Sequence, residues 1–383
     1  MRFWERRVFM RLALVFSVAA GTMGLVEAPT FRAAESLSAR ISDETFWNMV
    51  DDMSEPDGHF QFENFLSNEL KYQTVIPRLL QNVRPGGVYM GVAPEQNFTY
   101  IAELKPRMAF IIDIRRQNMI ELLMYKAIFE MCDTRADFIS KLFARKRPDG
   151  LGEKSSSRQL FDAYAKVKPD QAVFRKNLQE MRDLLVKTHK FGLRPQDIEG
   201  DVSIEYLYSV FVEGGPKMDF TTAGRKRAGG DNPSYEDLMN IDDGTGRNRS
   251  YLASEENYRV MRDLERKNLI VPLVGDFGGP KTIRAVGQYL RDHDATVTAF
   301  YLSNVEQYLF EDNKAANFYD NVATLPLDST STFIRTFSHS KGGGGFAGGG
   351  YEFVTTLSSM TELLKEFKAA RVGQYADVRN LSQ

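Results

Sequence analysis

The sequence contains few cysteine and histidine residues. It contains one cysteine, Cys132, so it can form neither an intrachain disulfide nor a cysteine-rich zinc or iron–sulfur site. Cys132 lies in an apolar run, which predicts a buried position. The four histidines are scattered without the spacing of metal ligands, so we expect no metal site; they are His59, His189, His293 and His339.

Two catalytic signatures and a one-sided charge are also missing. No G-x-S-x-G nucleophile elbow and no G-x-x-x-x-G-K-S/T phosphate loop occurs. The 49 Lys and Arg residues are matched by 51 Asp and Glu residues, which leaves a net charge of −2. Without a basic field, nucleic acid is not favoured as a partner. The length of 383 residues, 43% of them hydrophobic, suits one large domain or two ordinary ones.

The first 35 residues carry a targeting pattern. MRFWERRVFMR is basic, and an apolar run of small and aliphatic residues follows from Leu12 to Val26. This pattern predicts a signal peptide or an uncleaved membrane anchor. We therefore expect a protein that is exported, periplasmic or secreted, or attached to a membrane through residues 1–35, and we leave these residues out of the fold prediction.

Residues 85–118 have the pattern of strand, turn, helix and second strand. Val88–Val92 is a short apolar strand, and Gly91 lets the backbone turn where a side chain would obstruct a ligand. Glu95–Leu104 has a helical composition. Met108–Ile114 is a continuous apolar run, typical of a strand that is buried on both faces.

Asp113 lies at the carboxyl end of the second predicted strand, and Arg115 and Arg116 follow it. Ligands of open α/β sheets bind outside the carboxyl ends of the strands, where an acid accepts hydrogen bonds from ribose hydroxyls. Asp113 is therefore a candidate ligand-binding residue. The alternative is that its carboxylate pairs with the neighbouring arginines.

The remaining chain predicts more helices and strands. Residues 42–53, much of 60–83, 117–146 with a break near Asp133, and 254–267 have helical patterns. Val202–Glu213 fits a strand or a buried helix. Later strands are predicted at Leu269–Val274, Ala295–Leu302, Thr332–Phe337 and Tyr351–Leu357, with helices from Pro280, from Val305 and at Thr361–Ala370.

This alternation predicts an α/β fold with a mostly parallel sheet covered by helices on both faces. The last two strands, joined by the glycine-rich segment 341–350, predict an antiparallel pair at one edge. We assign residues 36–146 and 268–383 to the two halves of this domain. Residues 147–267 are predicted to be a helical and loop insertion, whose polar loop carries a basic cluster at 225–227.

The order of elements resembles the Rossmann-like fold of class I S-adenosylmethionine-dependent methyltransferases. The segments GVAPEQNFTYIAELKPRMAFIIDIRRQN and FYLSNVEQYLF resemble, more closely, an uncharacterised bacterial family with that fold. The resemblance spans roughly residues 45–370. It implies S-adenosylmethionine as the cofactor and methyl transfer to an unknown acceptor, and it carries the fold more securely than the activity.

The resemblance also implies roles for individual residues. It places Gly91 and Glu95 in the first-strand turn, Asp113 at the ribose and Asp276 at the adenine amino group. It places Asn304 near the reacting methyl group, where Asn304 and a tyrosine close in sequence, Tyr301 or Tyr308, would orient an acceptor in line with the sulfonium.

The first-strand turn departs from the methyltransferase pattern. Tyr89 and Met90 stand where an acid is usual, and Ala93 and Glu95 replace glycines. The carboxylate of Glu95 would bind the ammonium group of the ligand or cap the following helix.

Two other functions compete with methyl transfer. An exported, non-catalytic binding protein that retains the fold agrees with the altered turn and with the leader. An NADP-dependent oxidoreductase agrees with Arg115 and Arg116, which would hold a ribose 2′-phosphate.

Overall fold

Six strands form one sheet in the computed structural model, which describes residues 36–220, 232–340 and 351–382. The strands are β1 Val88–Val92, β2 Met108–Asp113, β3 Ile270–Val274, β4 Val297–Ser303, β5 Thr332–Ser340 and β6 Tyr351–Ser359. Their order across the sheet is β3-β2-β1-β4-β5-β6, and only the pairing of β5 with β6 is antiparallel. The predicted α/β class, the mostly parallel sheet and the late antiparallel pair are confirmed.

Helices surround this sheet. They are α1 Asp43–Met53, α2 Ile76–Asn82, α3 Gln96–Leu104, α4 Arg116–Met131, α5 Arg135–Leu142, α6 Ser157–Ala165, α7 Gln171–Arg182, α8 Pro195–Ile198, α9 Ile204–Gly214, α10 Tyr235–Asn240, α11 Glu255–Glu265, α12 Thr282–Asp292, α13 Val305–Glu311, α14 Ala315–Val322, α15 Met360–Lys368 and α16 Tyr375–Asn380. Every residue of β1, β2 and β3 is buried, so these strands are covered on both faces.

Three predicted features lie outside the described residues. They are the leader at residues 1–35, the basic cluster at 225–227 and the glycine-rich segment 341–350. Within the described parts of the chain, no helix is long and apolar enough to cross a membrane.

The insertion packs closely against the rest of the domain. Residues 34–383 form one compact unit, and α11 lies against both α3 and α4. The segment at 202–213, which fitted a strand or a helix, is helix α9. The predicted break near Asp133 is confirmed, because α4 ends at Met131 and α5 begins at Arg135.

One helical prediction is mostly wrong. Within residues 60–83 the chain is irregular as far as Lys71, then forms a 3-10 turn at Tyr72–Val75 and only then α2. The reason is that buried polar contacts replace the helical ladder: Ser67 and Glu69 bond to side chains of the sheet and of α3. A left-handed residue, Asn64 with φ 50°, also interrupts the helical path.

His189 joins the insertion to α1 and α4. Its Nδ1 lies 2.8 Å from Asp43 Oδ2 and its Nε2 lies 2.8 Å from Glu130 Oε2. Burial alone would lower the pKa of His189, but the bonds to Glu130 and Asp43 outweigh burial and raise it above its ordinary value of 6.5. The pKa values of Asp43 and Glu130 are lowered because, against the effect of burial, their bonds to His189 favour the carboxylates.

We expect this triad to stabilise the protein most between about pH 4.5 and 6.5. The histidine contribution is complete below 6.5 and is lost as pH rises through its raised folded pKa. The carboxylate contributions are lost as pH falls through their lowered folded pKa values. His189→Gln should therefore cost about 1 kcal/mol in that window, since solvent partly screens the triad, and less near pH 8. Urea unfolding across pH checks this, with His293→Gln as the control; a cost independent of pH would contradict it.

Candidate functional site

The direction of strand order reverses between β1 and β4, which we call the switch point of the sheet. From β1 the chain winds outward to β2 and β3, and it then returns to β4 on the other side of β1. Ligands of open α/β sheets bind at such a reversal, outside the carboxyl ends of the strands. The six predicted site residues lie at or just after the ends of β1 to β4; they are Gly91, Glu95, Asp113, Asp276, Tyr301 and Asn304.

Gly91 makes room for a side chain of the protein itself. A Cβ atom built on Gly91 would lie 1.8 Å from Oδ1 of Asn97, in the first turn of α3. The Asn97 amide nitrogen donates to the carbonyl oxygens of residues 92–94 at 2.7 to 2.9 Å, and the Tyr89 hydroxyl donates to its Oδ1 at 2.8 Å. The side chain of Asn97 thus holds the turn that the sequence pattern assigned to a ligand.

Glu95 is a buried acid at the amino end of α3. Only 1% of the residue is exposed. Its Oε1 accepts a 3.5 Å hydrogen bond from the amide of Ser67, and its Oε2 has no hydrogen-bond partner among the described residues. Burial raises the pKa of Glu95 to about 8. The carboxyl group is therefore protonated at neutral pH.

Two residues of α4 extend this buried polar group. Asn118 and Glu121 lie three positions apart on one helix face and are 2% and 1% exposed. Both side-chain polar atoms of Asn118 and Oε1 of Glu121 have no hydrogen-bond partner among the described residues. Burial, followed by the charge of nearby Glu95, raises the pKa of Glu121 well above its ordinary value. We call Glu95, Asn118 and Glu121 the acid cluster.

Unpartnered polar atoms at this depth are costly, and they are uncommon in folded proteins. A ligand that carries an ammonium group would supply both positive charge and hydrogen-bond donors to the two carboxyl groups. The acid cluster therefore fits an amine-bearing ligand.

Asp113 is paired with a neighbouring arginine. Nε and Nη2 of Arg115 donate to the two carboxylate oxygens at 3.0 and 2.9 Å, and the Arg115 amide donates at 2.9 Å. Of the two alternatives for Asp113, the structure shows the arginine pair. Both of its oxygens are engaged, so a ribose would have to compete with Arg115.

Arg116 is engaged as well. It forms a two-bond pair with Asp197 of α8, at 2.8 and 2.7 Å. Both arginines that would hold a 2′-phosphate thus bind carboxylates of the protein.

Glu69 lies on the β4 side of the switch point, and it was not among the site residues predicted from the sequence. Its carboxylate accepts bonds from Ser303 at 2.5 Å, from Gln96 at 2.9 Å and from Thr336 at 2.6 Å. These donors come from the end of β4, from α3 and from β5. The sequence feature that could have indicated Glu69 is its position as an acid among the apolar residues of a segment predicted to be helical.

The two predicted catalytic residues differ in access. Tyr301 is 3% exposed, and burial together with the charge of Glu69 raises the pKa of its hydroxyl well above 10. Asn304 is partly exposed, and its Oδ1 accepts a 3.4 Å hydrogen bond from Ser303. Asn304 can therefore meet a substrate more readily than Tyr301.

Asp276 lies in the loop after β3, and β2 separates that strand from β1. Its carboxylate accepts bonds from Lys314 at 2.6 Å and from the amide of Gly278 at 2.9 Å. The structure thus brings Glu95 within electrostatic reach of Glu121, whereas Asp276 pairs with Lys314.

Two surface cavities lie elsewhere. One of about 560 Å³ is lined by the start of β5, the end of β6 and α2, and one of about 440 Å³ lies between the end of α3 and residues 247–257. Neither is lined by the acid cluster. The described residues also contain no group of three or more His, Cys, Asp or Glu side chains placed to hold a metal ion.

Comparison with known protein families gives a match over most of the chain. A family model described as a domain of unknown function, DUF7790, matches residues 63–197 and 233–380, which is more than half of the chain. The matched ranges include the acid cluster, Glu69 and all six strands. No curated protein matches the chain.

Proposed function

The chain belongs to the DUF7790 family, and we propose that it binds a ligand of the S-adenosylmethionine type at the carboxyl edge of β1 and β4. The observation that carries the proposal is the acid cluster, in which Glu95 Oε2, at the start of α3, and Glu121 Oε1, in α4, have no hydrogen-bond partner among the described residues. The α-ammonium group in the methionine part of S-adenosylmethionine would supply the positive charge and the hydrogen-bond donors that these carboxyl groups lack.

The fit to this cofactor is partial. The acid cluster suits the ammonium group, but Arg115 engages both oxygens of Asp113 and Asn97 fills the turn at Gly91. In the conformation described, the ribose position is not open to the cofactor. We therefore assign ligand binding to the acid cluster and derive no methyl-transfer step.

A second candidate function is a non-catalytic binding protein that retains the fold. Two observations favour it: the Asp113–Arg115 pair and the contacts of Asn97 are complete without a ligand. Such a protein would keep the sheet as a scaffold, and the residues at the switch point would only stabilise the fold.

We expect S-adenosylhomocysteine and S-adenosylmethionine to bind in a calorimetric titration at pH 7, with Kd in the range of about 1–100 μM. NADP should give no heat. Because Glu95 is protonated near neutral pH, a bound ammonium group should displace a proton. The measured heat should therefore change with the ionisation enthalpy of the buffer.

Glu95→Gln should weaken this binding at least about tenfold, which is the loss of one charge-assisted contact. Glu265→Gln is the matched control, because burial raises the pKa of Glu265 to about 8 as well and Glu265 lies outside the acid cluster. Absence of heat with every ligand, in folded protein, would contradict the proposal and favour the non-catalytic candidate.

A further inference from the structure

The carboxyl edge of the sheet is crossed by an irregular segment, Ser54–Asn64, which we call the strap. The amide of Glu55 donates to the carbonyl of Val274 at the end of β3, at 2.8 Å. The amide of Gly58 donates to the carbonyl of Ile114, just past β2, at 2.8 Å. The ring of Phe60 meets Tyr308 of α13, which follows β4, with centroids 5.1 Å apart. The strap thus spans the edge from β3 to the helix after β4.

Two strap carboxylates bind the amino ends of helices. Glu55 Oε1 accepts bonds from the amides of Lys281 and Thr282, at 2.8 and 3.0 Å, at the start of α12. Asp57 Oδ1 accepts a 2.7 Å bond from the amide of Arg116, the first residue of α4. Carboxylates are favoured at both places, because the free amides and the helix dipole attract negative charge.

Arg115 fastens the second half of the strap. Its Nη1 donates to the carbonyl of Phe62 at 2.8 Å and also to that of Glu63, while its other nitrogens hold Asp113. One side chain therefore joins the strap to the residue predicted to bind ribose. Opening the strap would free part of the Arg115 guanidinium and uncover Asp113.

The strap has the character of an element that opens locally. It contains no helix or strand, and Pro56, Asp57, His59 and Gln61 are exposed. Its attachments are mainly polar contacts near the surface, and such segments open at a lower free energy than the core. A side chain at Gly58 would collide with Ile114, at 2.4 Å from its Cγ1, so the strap is also closely fitted.

We propose that the strap is a lid held shut by the Glu55 and Asp57 carboxylates, and that it opens as a unit to uncover Asp113 and the carboxyl ends of β2 and β3 to the ligand of the proposed function. The identity of that ligand rests on the proposed function, whereas the opening itself does not. In the closed form the lid inhibits binding, because only the open fraction is competent.

The test uses the full chain with Glu55→Gln and Asp57→Asn combined. The matched control combines Asp51→Asn and Asp52→Asn, which removes the same charge from exposed positions of α1 just before the strap. Without ligand, hydrogen–deuterium exchange in peptides from residues 54–64 should accelerate about tenfold in the strap variant. Chymotrypsin cleavage after Phe60 and Phe62 should accelerate similarly. Peptides from residues 43–53 should not change, and the control should match the wild type.

The ligand arm separates the two proposals. S-adenosylhomocysteine should bind the strap variant about tenfold more tightly than it binds the wild type or the control. Faster strap exchange without binding in any variant would refute the S-adenosylmethionine-type ligand and leave the opening supported. Unchanged exchange and cleavage in the strap variant would overturn the lid, even if the ligand binds. Faster exchange with equal affinity in all variants would show that the strap opens but does not inhibit.

Discussion

Asp113→Asn is expected to lower the free energy of unfolding by about 3–5 kcal/mol, because it leaves the buried guanidinium of Arg115 without its counter-charge. Arg115 is 6% exposed and Asp113 is 5% exposed, so water cannot replace the lost contact. Burial alone would lower the pKa of Arg115, but the charge of Asp113 outweighs burial and raises the pKa of Arg115 above its ordinary value. Urea unfolding monitored by far-ultraviolet circular dichroism measures the loss.

The comparison pair lies on the surface. Arg259 and Glu153 form a 2.7 Å ion pair with side chains 45% and 63% exposed, so Glu153→Gln should cost less than about 1 kcal/mol. Combining Asp113→Asn with Arg115→Gln should recover part of the loss, since no buried charge then remains unpaired. Equal costs for Asp113→Asn and Glu153→Gln would contradict the assignment of a buried, mutually dependent pair.

The central sheet was the part of the fold that local sequence could predict. The apolar run at Met108–Ile114 does not alternate with polar residues as a strand with one solvent-exposed face would, so it predicted a strand buried on both faces. In the structure every residue of β2 is buried. Asp113 was placed correctly at the end of β2, whereas Gly91, where a turn was predicted, lies inside β1 and pairs with Ile111 and Tyr301. The alternation of strand and helix patterns predicted the parallel sheet, and the lack of a helical pattern between the last two predicted strands predicted their antiparallel pairing.

The use of those strand-end residues could not be predicted, because it depends on contacts between distant segments. Arg115 follows Asp113 by two residues in the sequence, but its bonds to Phe62 and Glu63 depend on the course of the strap. Glu69 meets Ser303 and Thr336, which are 234 and 267 residues away. The hydrophobic periodicity of a short segment cannot predict contacts between residues so far apart in the sequence.

Glu95 illustrates both sides of this limit. Its position after β1 and its departure from the glycine pattern were visible in the sequence, and two roles were named for it. Glu95 stands at the N-cap position of α3, but its side chain makes no capping hydrogen bond, so the capping role is wrong; one carboxyl oxygen has no partner among the described residues. The depth of burial, which decides the ionisation of the group, comes from α4 and from residues 64–72, and neither was visible in the local pattern.

Glu95→Gln should make the protein more stable at pH 8 by about 4 kcal/mol, while leaving its stability at pH 4 nearly unchanged. The folded pKa of about 8 lies above the ordinary value of 4.5, so the wild-type contribution is complete below pH 4.5. It is lost as pH rises from 4.5 towards 8, because unfolding lets the carboxyl group ionise. Glutamine has nearly the same shape and no proton to lose, so the variant escapes this loss. Urea unfolding from pH 4 to 8.5 measures the difference.

The controls decide what the stabilisation means. Glu265→Gln should stabilise in the same pH range, because its carboxyl group also has a pKa of about 8, whereas the exposed Glu362→Gln should change stability by less than about 0.5 kcal/mol. A pH-independent effect of Glu95→Gln would show that Glu95 titrates normally and would remove the basis of the acid cluster. A residue that lowers the free energy of unfolding and also strengthens ligand binding has a role in binding rather than in stability. Stabilisation together with loss of S-adenosylhomocysteine binding in Glu95→Gln, and stabilisation alone in Glu265→Gln, would therefore identify Glu95 as functional.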